Sequence, residues 1–81
     1  MEKYTPTPEE VQGHISAAFD SVNLINEVVA TPATEETKKT VERNFKHLEI
    51  MLAKDWFEAG LTAAQKSDIE AAITAGTAYC A

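Results

Sequence analysis

Few side chains in this 81-residue chain could do chemistry: His14, His47, the single cysteine Cys80, and 13 carboxylates. A helical di-iron site needs Glu-x-x-His on facing helices. Here the residue three before His14 is Val11, and the one three before His47 is Asn44. No metal-ligand set is assigned. His14, Ser16 and Asp20 lie close in sequence, yet on a helix Ser16 points well away from the line of His14. They do not converge as a triad. The carboxylates have plainer uses. Glu9-Glu10 and Glu35-Glu36 fall where helices begin, and Glu49, Asp55 and Glu58 read as solvated faces. Gly13, Gly60 and Gly76 are scattered and form no phosphate-binding loop. The expectation is a protein with no catalytic, cofactor or metal residues, and not an enzyme.

Net charge is −6, from 13 acidic and 7 basic residues. Such a field repels nucleic-acid phosphates and anionic membrane surfaces. A basic stripe is the local exception: Lys38, Lys39, Arg43 and Lys46 cluster, while residues 8–30 hold no Lys or Arg. Four cations supply too few phosphate contacts to hold a helix–turn–helix in a groove. Neither a nucleic-acid nor a membrane partner is expected. No apolar run approaches a membrane span, Met1-Glu2-Lys3 opens no apolar leader, and a lone cysteine suits a reducing compartment. These features predict a cytoplasmic chain. With 44% hydrophobic and 25% charged residues, it should fold as one domain over residues 1–81.

The elements that position these residues start at threonines. Thr7-Pro8-Glu9-Glu10 is a capping box with proline at the first helical position. Val11, Ile15, Ala18, Val22, Ile25 and Val29 then alternate by four and three, and Thr31-Pro32 ends the stripe. A second helix begins near Thr34-Glu35-Glu36 and carries Val41, Phe45, Leu48, Leu52 and Trp56 up to Gly60. A third starts at Thr62-Ala63-Ala64-Gln65, carries Ile69, Ala72 and Ile73, and closes at Gly76. The fold class is all-α: a three-helix up–down–up bundle with helices at about 8–30, 35–59 and 63–75, the third short. The predicted core is Val11, Ile15, Phe19, Val22, Val41, Phe45, Leu48, Leu52, Trp56, Phe57, Ile69 and Ile73. Gly13, inside the first helix, suggests that another helix passes close by.

The segment 48–57 is apolar on two sides, with Leu48, Leu52 and Trp56 opposite Ile50, Ala53 and Phe57. A short third helix covering the second side explains the pattern. At 1.5 Å per residue it would span only ~20 Å. It would then leave Leu24, Ile25 and Val28 uncovered at the far end of the hairpin. That seam, flanked by Lys39 and Arg43, is the predicted partner-binding surface. Two copies could pair Asp20 and Glu27 with Lys39, Arg43 and Lys46.

Residues 46–76, KHLEIMLAKDWFEAGLTAAQKSDIEAAITAG, resemble small helical proteins of tailed phages of marine bacteria, cyanophages among them. The shared features are a long helix ending in an aromatic pair, a leucine, a threonine cap and a short helix closed by glycine. The resemblance implies viral origin, and so a host-cytoplasmic location, but no activity, cofactor or site residue. The function expected is a non-enzymatic helical protein–protein interaction module, self-associating as a homodimer or binding a host or viral protein. A minor structural component of a virion is the alternative.

Overall fold

A computed structural model describes residues 5–81, and every regular element among them is a helix. In chain order these are α1 (Pro8–Val28), α2 (Glu35–Leu52), α3 (Asp55–Ala59) and α4 (Ala63–Cys80). The three long helices each start on a threonine. The Thr7 amide donates to Glu10 Oε1 at 2.9 Å, and the Glu10 amide donates to Thr7 Oγ1 at 3.2 Å. Thr34 and Thr37 exchange the same pair of bonds at 2.8 and 3.1 Å, as do Thr62 and Gln65 at 2.9 and 3.1 Å. Each box satisfies two backbone donors that a helix start otherwise leaves to water.

The second helix does not run unbroken to residue 59. It stops at Leu52, and Lys54 is extended, with φ −92° and ψ 119° and no side-chain cap. In a continuous helix, Ile50, Ala53 and Phe57 would share a face. The break separates them. Phe57 is fully buried, Ile50 is 60% exposed, and Ala53 is exposed. The two-sided pattern of residues 48–57 is therefore one buried face that changes direction at Lys54, not a second face awaiting α4.

The last helix is not short. It runs 18 residues through Gly76 to Cys80, as many as α2, or about 27 Å. Gly76 is a packing residue and not a stop. A Cβ there would lie 3.0 Å from Phe45 Cδ2 and 3.1 Å from Val41 Cγ1, so its small size lets α4 sit close on α2. Gly60 is right-handed, with φ −83°, and a Cβ there would meet Val11 Cγ1 at 2.6 Å. A Cβ at Gly13 would meet no other part of the described chain within 4 Å, so no other helix packs closely there.

The contacts at each end fix the course of α4. Its approach, at Gly60, lies against Val11 and Ile15 of α1. At its finish the Tyr79 hydroxyl donates to the Pro32 carbonyl at 3.1 Å and sits 2.9 Å from Thr37 Oγ1. The Cys80 thiol donates to the Lys38 carbonyl at 3.3 Å. Residues 77–80, beyond the helix end expected at Gly76, thus tie α4 to the α1–α2 turn. The core is Val11, Ile15, Ala18, Val22 and Ile25 of α1, Val41, Phe45, Leu48 and Met51 of α2, Phe57 of α3, and Ile69 and Ala72 of α4. Phe19, Leu52, Trp56 and Ile73, expected inside, are partly buried at its margin.

Two substitutions test this packing. Gly13→Ala adds a methyl group in open space and removes a helix-interior glycine. It should raise stability by about 0.5–1 kcal/mol, an increase of several degrees in Tm by thermal circular dichroism. Tyr79→Phe removes the hydroxyl that joins Pro32 and Thr37. It should lower unfolding free energy by about 1 kcal/mol in urea, with an unchanged m value.

Candidate functional site

The groups with chemical potential are dispersed. His14, exposed on α1, lies beside Trp56 of α3, with ring centroids 5.1 Å apart and planes at 53°. Trp56 in turn stands edge-on to Phe57 at 6.3 Å, so this aromatic set extends the core outward. Ser16 and Asp20 are exposed. Ser16 is two residues from His14, about 200° around the helix. Among the described residues no three His, Cys, Asp or Glu side chains are grouped to hold a metal ion. No buried side-chain nitrogen or oxygen among them lacks a partner. No helix among them is long and apolar enough to cross a membrane.

The five residues assigned to a partner surface separate into two groups. Ile25 is fully buried and belongs to the core. Val28 is half-buried and packs against that core, which leaves Leu24, 36% exposed, without the neighbours that would make a seam. The cause is the length of α4, whose last turn encloses the end of the hairpin. Lys39 and Arg43, by contrast, are exposed on α2.

Lys39, Arg43, Lys46 and Ile50 follow one another at intervals of four, three and four within Glu35–Leu52, so they form one row along the helix. The row lies on the side of α2 away from buried Val41, Phe45 and Leu48. At 60% exposure, Ile50 is far more open than Leu24. None of the three cations takes part in an ion pair among the described residues. The Lys66–Glu58 pair, at 3.6 Å, lies elsewhere.

Beside this row, between α2 and α4, is an open groove of about 430 Å³ lined by Glu49, Leu52, Glu70, Ile73 and Thr74. Its apolar part is half-buried Leu52 and Ile73, and its carboxylates, Glu49 and Glu70, are exposed. The outer side of α2 thus carries a basic ridge ending in an isoleucine, next to an acid-rimmed channel. Sequence reasoning reaches Lys39 and Arg43 but misses Ile50 and the groove. The four-three-four spacing of residues 39–50 is the signal in the sequence that marks this row.

No protein-family model, curated protein or solved structure matches this chain.

The division between core and surface is open to direct test. Ile50→Asp should leave unfolding free energy within about 0.5 kcal/mol of the parent, because no buried contact is lost. Ile25→Asp buries an unpaired carboxyl group and should destabilise the chain by several kcal/mol, enough to unfold a domain this small. Denaturation followed by Trp56 fluorescence distinguishes the two.

Proposed function

We propose that this protein is a non-enzymatic, helical protein-interaction module whose binding face is the outer side of α2. The observation that carries the reading is Ile50, 60% exposed and in line with the exposed cations Lys39, Arg43 and Lys46. A single exposed aliphatic residue is unremarkable on a surface. One at the end of a basic row can anchor a contact that the cations orient. The partner this fits is a protein surface with carboxylates bordering an apolar recess. The net charge of −6 favours such a surface over the uniformly anionic backbone of a nucleic acid, which the rest of the chain repels.

The same reading takes α3 as the redirected end of the second helix, so that the long helices run up, down and up. It places the protein in the cytoplasm. A phage origin rests on the resemblance of residues 46–76.

Site-resolved photocrosslinking in producing cells tests the binding face. A photoreactive residue at position 50 should trap a protein. The same residue at position 78, exposed on α4, should trap several-fold less. Equal or absent crosslinking at the two positions would overturn the assignment.

A further inference from the structure

The ridge and the groove lie on adjacent sides of the same helix, and each has what the other lacks. The ridge presents Arg43, Lys46 and exposed Ile50; the groove presents Glu49 and Glu70 around Leu52 and Ile73. Resting on the interaction reading above, we infer that the occupant of this face is a second copy of the chain, packed with its α2 antiparallel to the first. A two-fold axis makes such a contact reciprocal, because one patch serves as both donor and acceptor of the ridge.

The sequence fixes a workable register. With the axis crossing α2 between His47 and Leu48, Lys46 and Glu49 stand equally far from it on either side. Lys46 of each copy then faces Glu49 of the other, twice over. By the same arithmetic Arg43 falls level with Leu52 of the second copy, at the height of the groove that Glu49 and Glu70 rim. Ile50 covers the methylene stem of Lys46 from the other copy, an apolar contact that keeps the charged head in water. Registers displaced toward the start of α2 bring Lys39, Arg43 and Lys46 against their own symmetry mates, and like-charge repulsion disfavours them.

The other unabsorbed features of the molecule carry less. The His14–Trp56 contact is packing at the margin of the core. The Cys80 thiol is engaged by the Lys38 carbonyl, and Tyr79 is held by Pro32 and Thr37. The α2 face is distinguished by carrying charges of both signs beside exposed and half-buried apolar side chains on the same chain.

Sedimentation equilibrium of the full chain, up to about 1 mM, where even weak specific contacts are populated, tests the inference. Lys46→Glu and Glu49→Lys are each expected to weaken dimerisation by roughly tenfold or more, since each places like charges together at two sites. Combining them restores opposite charges across the axis, so the double variant should return to within about threefold of the parent. Both positions are exposed, and unchanged circular dichroism verifies that each variant is folded. A monomeric parent across the range, or a double variant no better than either single, overturns the second copy as occupant. If position 50 nonetheless crosslinks a different protein, the interaction reading stands without the dimer; if it crosslinks nothing, both fall.

Discussion

The close contact of α4 with α2 is the constraint on which the rest of the molecule depends. Gly76 makes it possible: with only a hydrogen at that point, the helix sits against Val41 and Phe45, where a Cβ would already be 3.0–3.1 Å from their side chains. Because α4 is as long as α2, the contact continues to the far end of the hairpin. There Tyr79 and Cys80 take up the Pro32 and Lys38 carbonyls. An 81-residue chain has little apolar area to spare, and leaving one end of the bundle open would be costly. Closure puts Ile25 fully inside, while on the outer side of α2 exposed Ile50 meets water beside the exposed cations Lys39, Arg43 and Lys46.

Helix starts were legible from the sequence because their causes are local. Thr7, Thr34 and Thr62 announce α1, α2 and α4, and the hydrogen bonds that make them caps involve residues three positions away. Helix ends were less legible because glycine is ambiguous. Gly76 reads as a terminator in isolation, yet Ile69, Ala72 and Gly76 keep the four-three rhythm that continues to Tyr79 and Cys80. Whether a glycine ends a helix or brings two helices together depends on the neighbour it faces. The break at Lys54 is similar: an apolar pattern that spreads over two faces can mean two neighbours or one change of direction. The extended backbone at Lys54 shows the second case.

The length of α4 and the break at Lys54 together determine where the candidate surface lies. A truncated α4 would have exposed Ile25 and Val28, and a continuous second helix would have covered Ile50. The full-length α4 encloses the α1 seam, and the exposed side chains Lys39, Arg43 and Ile50 lie on α2. The chemical content of this surface is modest but oriented. Cations on a chain of net charge −6 create a local dipole-like field. Such fields determine which way a partner approaches more than how tightly it binds, while the apolar contact at Ile50 supplies the adhesive component.

The central structural claim, that α4 continues past Gly76 and closes the bundle, is most directly tested by native-state amide hydrogen exchange at residues 77–80. A packed last turn tied to Pro32, Thr37 and Lys38 predicts exchange at least about a hundredfold slower than in an unstructured peptide, even allowing for end fraying. Exchange at unstructured rates from residue 77 onward, with Ile69–Ala72 still protected, would contradict it. That result would mean the helix ends at the glycine and the far end of the hairpin lies open.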